Sequence, residues 1–160
     1  MLRDATPADH PAVLRLNERS VHFLSPMDAP RLMKLAAAAC HFRVAEIDGG
    51  VAAFLLGFRH GADYDSPNFR WFEARGGDFY YVDRIVVDER HRGRRLGDVL
   101  YADFERAARA AGVARLTCEI DIEPPNPGSL RFHERWGYRE VGRHAPYDTK
   151  IVSLREKLLA

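Results

Sequence analysis

The sequence predicts an α/β (α+β) fold. It reads as one domain over residues 1–160, with a mixed central sheet of about six to seven strands and helices on both faces. Three observations lead there. Runs of four to eight β-branched and aromatic residues alternate with segments whose apolar residues recur every three or four positions. The sharpest change of period falls in mid-chain, where Phe79 to Val87 gives way to a basic turn and then to an amphipathic helix. The chain has 160 residues, 46% hydrophobic and 29% charged, enough for one core without a linker or repeat. The expected element order is β-α-α-β-β-β-α-β-α-β-β.

Met1 to Asp4 is short enough for an edge strand. Thr6-Pro7-Ala8-Asp9 is a helix start, with Thr6 as N-cap and Pro7 in the first helical position. Ala12, Val13 and Leu16 continue that helix, and Ser25-Pro26-Met27-Asp28 breaks the chain. A second helix is expected from about Ala29 to Ala39, with Leu32, Leu35, Ala36 and Ala39 inward. Phe42 to Ile47 and Val51 to Phe58 read as strands joined by the hairpin turn Asp48-Gly49-Gly50. The second of these strands is almost wholly apolar and so central.

Arg59 to Asp78 is a long connection carrying Tyr64, Phe69, Trp71 and Phe72. Four aromatics argue against disorder. Ser66-Pro67 would cap a short helix over roughly Asn68 to Arg75. The segment reads either as an aromatic cover for the core or a subunit interface, or as a substrate-contacting loop. After the strand at 79–87, Leu96, Val99, Leu100, Phe104, Ala107, Ala108 and Ala111 mark one helix face, closed by Gly112. Arg115 to Ile122 is a strand with Leu116, Cys118 and Ile120 on one side and Glu119 and Asp121 on the other. Pro124 to Gly128 reads as rigid and non-helical, followed by a helix from Ser129 to Trp136 closed by Gly137. Tyr138 to Val141 and Lys150 to Leu154 form a final antiparallel pair.

The chemistry concentrates at His91-Arg92-Gly93-Arg94-Arg95-Leu96-Gly97, between strand and helix. A helix N-terminus exposes unpaired N–H groups and a partial positive charge. Glycines allow a phosphate close to the backbone, and the arginines add charge, so the turn suits a phosphate or pyrophosphate. A solvated basic loop is the plainer reading of the heptapeptide alone. It is not a P-loop, since no Gly-Lys-Ser/Thr follows, and it lacks the three glycines of the dinucleotide fingerprint.

The turn resembles the acyl-CoA turn of the GNAT superfamily of N-acetyltransferases, Arg/Gln-x-x-Gly-x-Gly/Ala, with Arg92 first and Gly97 last. Arg95 replaces the middle glycine, which implies ordinary helical dihedrals there. A second segment, Asn126-x-x-Ser129-x-x-Phe132-His133-Glu134-x-x-Gly137-Tyr138, is similar to the family's second acyl-CoA motif. The resemblance in element order covers the whole chain, and the specific residues lie between about Tyr81 and Tyr138.

The resemblance implies acetyl-CoA as co-substrate and a primary amine of a small molecule or protein as acceptor. No metal is implied, and a homodimer is the family-level expectation. The CoA-binding set would be Ile85, Val86 and Val87 on the strand edge, Arg92 to Gly97 (including Gly93, Arg94, Arg95 and Leu96), and Asn126, Ser129, Phe132, His133 and Arg135. Arg131 and Arg135 could meet the adenosine 3′-phosphate or simply be solvated. Asp83 is the foremost candidate base, against the alternative of an ion pair with Arg84. Glu119 and Asp121 are further candidates, against a solvated strand face. Tyr81 stands near where the family sometimes places a glutamate. His133 occupies the position of the family's tyrosine acid and could transfer protons or only pack, with Tyr138 and Tyr147 as substitutes. The acceptor would be shaped by Asn17 to Asp28 and Arg59 to Asp78.

Net charge of +1 speaks against nucleic acid or anionic membrane as partner. No run of 18 apolar residues and no signal pattern stands in the sequence. Cys40 and Cys118 lack metal spacing, so both are expected to be reduced and buried in a cytoplasmic protein. A non-catalytic acyl-CoA-binding module is the competing functional reading.

Overall fold

The computed structural model describes residues 1–21 and 24–160. The strands are β1 (Leu2–Asp4), β2 (His41–Ile47), β3 (Gly50–Arg59), β4 (Tyr80–Val87), β5 (Arg115–Glu123), β6 (Arg139–Tyr147) and β7 (Lys150–Leu158). The helices are α1 (His10–Arg19), α2 (Ala29–Ala38), α3 (Pro67–Ala74), α4 (Leu96–Ala110) and α5 (Pro127–Arg135). One seven-stranded sheet has the order β1-β2-β3-β4-β5-β7-β6. The pairing is mostly antiparallel, with β4 and β5 registered in parallel at Tyr80–Leu116 and Tyr81–Thr117. The predicted strand count and order hold. Two compact units divide the chain: Met1–Phe58 with Asp83–Ala107, and Arg59–Val82 with Ala108–Ala160.

In the first unit, β1 is the short edge strand expected, paired antiparallel to β2. The β2–β3 hairpin turns on Asp48 and Gly49, at φ 51° and 77°. Two left-handed residues in a two-residue loop match the strand twist, which is why Asp-Gly stands there. From Ala52 to Phe58, β3 is buried at every position, and Phe54, Leu55, Leu56 and Phe58 are wholly inaccessible. Val13 and Leu16 of α1 and Leu32 and Leu35 of α2 are buried as expected.

Three details in this unit differ from the sequence expectation. The first helix opens as a 3₁₀ turn, Pro7–Asp9, before α1. Asp9 draws it tight, taking the Thr6 N–H at 2.8 Å and both ends of the Arg3 guanidinium at 2.8 Å. On α4 the inward residues are Leu100, Tyr101, Asp103, Phe104 and Ala108, while Val99 is 45% exposed. Asp103 can face inward because Arg43, Arg106 and His41 meet its carboxylate at 2.9, 2.5 and 3.4 Å. Cys40 is exposed, not buried.

In the second unit, Ser66 caps α3, its Oγ accepting the Phe69 N–H at 3.4 Å. The aromatic segment is core: Tyr64, Phe69 and Phe72 are buried, and Phe69 and Phe72 pack against Phe79 and Tyr81. Trp71 lies against Gly142 of β6 so closely that a Cβ there would stand 2.6 Å from the indole. Strands β6 and β7 run further than predicted, because register shifts at Glu140/Gly142 and His144/Tyr147 break the alternation that the sequence shows. Helix α5 starts at Pro127, two residues early, since proline is well suited to the first helical position. Cys118 is buried, and burial pushes its thiol well above the usual range. Among the described residues no helix is long and apolar enough to cross a membrane, and no group of acidic, His or Cys side chains could hold a metal.

Candidate functional site

The basic turn is built from Asp88, the residue after β4. Its N–H donates to the Ala52 carbonyl at 2.8 Å, and its own carbonyl accepts the His91 N–H at 2.8 Å. Its carboxylate accepts the Arg90 N–H at 3.0 Å and the Arg90 guanidinium at 2.8 Å, with Arg19 at 3.8 Å. Asp88 is only 3% exposed. The Arg90 guanidinium, above all, lowers the Asp88 carboxyl to about 2. A short 3₁₀ turn, Glu89–His91, follows, and then the chain runs to α4.

Gly93 and Arg95 both have positive φ, 84° and 58°. This corrects the expectation that Arg95 is an ordinary helical residue. It holds the left-handed conformation for which glycine is suited, and α4 begins one residue later at Leu96. The Arg95 side chain turns to Asp98 at 3.0 Å and stays exposed. Arg92 and Arg94 are exposed and, among the described residues, make no side-chain hydrogen bond or ion pair. Two uncommitted guanidinium groups at a left-handed turn before a 15-residue helix fit an anionic ligand. Gly97 is the second residue of that helix. Of the expected strand-edge residues, Val86 is buried while Ile85 and Val87 are half-buried. Val86, Val87, Asp88 and Arg92 line a shallow pocket with Leu16 and Arg19 of α1.

Asp83 is paired. Arg84 Nε meets its Oδ2 at 3.0 Å, and both side chains are 6% exposed. Arg84 also donates to Asn17 Oδ1 at 2.9 Å and to the Ser25 carbonyl at 2.7 Å. Arg84 of β4 thus ties together Asn17 of α1 and Ser25, both in the segment expected to shape the acceptor. Within that segment His22 and Phe23 lie outside the described residues.

The second unit holds the other candidates. Asn126 caps α5, its Oδ1 accepting the Ser129 N–H at 3.4 Å. His133 is buried, and its Nδ1–H donates to the Ser129 carbonyl at 2.7 Å, with Ser129 Oγ at 3.3 Å. Burial is the main cause that pushes its pKa down to about 4. At neutral pH His133 is therefore a neutral ring, with the bonded proton spent on a carbonyl. It cannot hand over a proton as an imidazolium. Its ring lies edge-on to Tyr138 at 5.4 Å and to Phe132 at 5.3 Å. Arg135 stacks over Phe132 at 5.2 Å, and Arg131 is exposed with no side-chain partner among the described residues. Tyr138 is buried, whereas Tyr147 is 55% exposed at the end of β6.

On β5, Glu119 is half-buried and receives the Tyr81 hydroxyl at Oε2, 2.5 Å. Asp121 is 5% exposed, with Lys150 Nζ at 3.4 Å, and burial raises its pKa. Sequence reasoning passed over Tyr81, noting it only as a residue that is not glutamate. Its place inside the apolar run Phe79 to Val87 was the signal available, since a tyrosine buried there needs a partner for its hydroxyl.

The family model described as Acetyltransferase (GNAT) family matches residues 10–138. A comparison with curated proteins finds no match. Among solved structures, the chain is similar to Ard1 from Thermoplasma volcanium, at 18% identity and TM-score 0.81, covering 100% of this chain and 97% of that one. It is similar to Naa20 of Chaetomium thermophilum, solved in complex with a bisubstrate analogue, at 19% identity and TM-score 0.77, covering 99% and 86%. It also matches yncA from Salmonella typhimurium, solved with its cofactor acetyl-CoA, at 18% identity and TM-score 0.73, covering 100% and 94%.

Proposed function

This chain belongs to the GNAT acetyltransferase family, and from that membership we propose that residues 1–160 form one domain that acetylates a primary amine, of a small molecule or a protein, by direct transfer from acetyl-CoA. The observation that carries this is the turn itself. Asp88 pins its start, Gly93 and Arg95 take left-handed conformations, and Arg92 and Arg94 keep their charge uncommitted among the described residues.

Bound acetyl-CoA supplies the acetyl group as an activated thioester. The backbone N–H groups of Arg92 to Gly97 hold its pyrophosphate, and Ile85 to Val87 offer backbone groups to the pantetheine arm. Asn126, Ser129, Phe132, His133 and Arg135 form the α5 part of the CoA-binding set, with Asn126 and Ser129 fixing the start of that helix.

Proton handling falls to acidic side chains and a phenol. An alkyl amine arrives mostly protonated, so a base must take one proton before nitrogen attacks the carbonyl carbon. Glu119 takes that proton, directly or through water; the neutral nitrogen then forms the C–N bond, sheds its second proton as the C–S bond breaks, and that proton offsets the one given to the leaving sulfur. Asp83 is the second candidate, but its carboxylate is already engaged by Arg84. Tyr138 returns a proton to the leaving sulfur, a role that a neutral His133 does not fill. His133 instead packs edge-on against the Tyr138 ring.

The test combines binding and turnover. Acetyl-CoA should raise the melting temperature, because a ligand that binds only the native state stabilises it by mass action. Gly97→Asp should abolish that shift, by placing bulk and negative charge at the phosphates. A full shift retained in this variant refutes the turn as the binding site. Thiol release should then appear with one or more members of a panel of primary amines. Binding without turnover of any amine would favour the alternative, a non-catalytic acyl-CoA-binding module.

A further inference from the structure

Tyr81 is the residue the reaction scheme leaves unused. Its ring is wholly buried. Phe69 of α3 meets it edge-on at 5.4 Å, and Phe72 packs against it at 6.1 Å. The ring therefore has no room to swing. Its hydroxyl donates to Glu119 Oε2 at 2.5 Å, within the short range of bonds from a hydroxyl to a charged oxygen.

We propose that Tyr81 is a positioning residue for the reaction, holding the Glu119 carboxylate in place to receive an acceptor amine that arrives as a cation. The proposal rests on the acetyl-transfer reading above. A carboxylate has two oxygens and about four lone-pair sites, so one phenol does not exhaust it. Glu119 is half-buried and keeps contact with its surroundings, whereas its anchor is not exposed at all. A glutamate has three freely turning side-chain bonds, and a fixed hydroxyl removes most of that freedom before substrate arrives. The aromatic segment 59–78 gains a role by this route: α3 acts on the chemistry by locking the ring that locks the carboxylate.

The charged neighbourhood is defined by the sheet register. Thr117 pairs with Glu156, Glu119 with Leu154 and Asp121 with Val152. Alternate residues share a face, so Arg115, Asp121, Lys150 and Glu156 stand on the same face as Glu119. Arg75, just past α3, approaches Glu156 at 3.7 Å, and Arg139, His144 and Tyr147 of β6 pair with Glu156, Val152 and Lys150 on that face. Any titration of Glu119 is read against these eight groups, all of which stay unchanged in the variants below.

The experiment compares wild type, Tyr81→Phe, Glu119→Gln and the double variant. Carbon NMR of the glutamate carboxyls follows Glu119, identified by the resonance lost in Glu119→Gln. A hydrogen bond to a carboxylate favours its charged form, so Tyr81→Phe should move the Glu119 midpoint up. Thiol release from acetyl-CoA is measured with phenethylamine and a short peptide with a free N-terminus, from pH 5.5 to 9. Tyr81→Phe should lose about tenfold in kcat/KM on the acidic limb and shift that limb upward, with acetyl-CoA affinity unchanged. Glu119→Gln should lose more, and adding Tyr81→Phe to it should cost nothing further, because the two residues act as a unit. An unmoved midpoint, an unmoved limb or additive losses overturn the tether. If wild type turns over no amine, the acetyl-transfer reading falls instead, and the amine role of Glu119 falls with it, whatever the midpoint does.

Discussion

Replacing Arg95 with glycine should stabilise this protein, and the comparison with alanine makes the reasoning sharp. Arg95 sits at φ 58°, one residue before α4. A side chain in that region costs about 1–2 kcal/mol from its Cβ crowding the backbone. Glycine has no Cβ, but it loses more backbone freedom on folding, roughly 0.5–1 kcal/mol. The exposed pair with Asp98 that is lost contributes little. The net gain for Arg95→Gly is about 0.5 kcal/mol, near 1–2 °C for a chain of this size. Arg95→Ala keeps the strain and also loses the pair. Glycine should therefore exceed alanine by about 1 kcal/mol, or roughly 2–4 °C, in thermal and urea unfolding. In a helical position the order would reverse, with alanine ahead by about 1 kcal/mol. Alanine melting above glycine would refute the left-handed assignment. Since the side chain points to Asp98, acetyl-CoA affinity should change less than threefold in Arg95→Gly. A hundredfold loss would make Arg95 itself a phosphate ligand.

Other expectations can be checked in the same unfolding assays. Gly142→Ala should cost about 1–3 kcal/mol by overpacking, since its Cβ would fall 2.6 Å from Trp71, and indole fluorescence should shift with it; unchanged stability would place Trp71 elsewhere. His133 is neutral when folded, with a folded pKa of about 4 against 6.5 in the unfolded chain, so the unfolded state binds more protons between those values. Stability should then fall as pH drops from 6.5 towards 4, by about 3 kcal/mol from this group. His133→Phe should flatten that slope, leaving the part due to His41, whose pKa burial also lowers. For Asp88 the sign is the same, in a lower window. Its pKa is lowered from 3.8 to about 2, so its contribution is complete above 3.8 and disappears as pH falls through 2; Asp88→Asn should remove that dependence, and an identical profile would refute the pairing with Arg90. Tyr138→Phe should lower kcat about 10²-fold with acetyl-CoA affinity unchanged, while His133→Phe should stay within a few-fold of wild type. The reverse ranking would return the proton-donor role to His133.

The sequence by itself determined the elements and their order, because periodicity and turn chemistry are local. Apolar spacing marked α1 and α2, Asp48-Gly49 marked the hairpin, Ser66 and Asn126 marked caps, and the change of period at 87–96 marked the basic turn. Tertiary structure decided what those rules cannot see. The left-handed φ of Arg95 is a property of how strand and helix are joined, and an arginine in the sequence carries no mark of it. The inward turn of Asp103 depends on Arg43, sixty positions away, and Asp83 is held by Arg84, which in turn reaches Asn17 and Ser25. Whether His133 can carry a proton depends on how fully it is buried, and which carboxylate a phenol holds depends on a pair 38 positions apart. Pairing and desolvation are sums over neighbours that only the folded chain brings together, so the position of the proposed site was readable in the residues while the protonation state of its members was not.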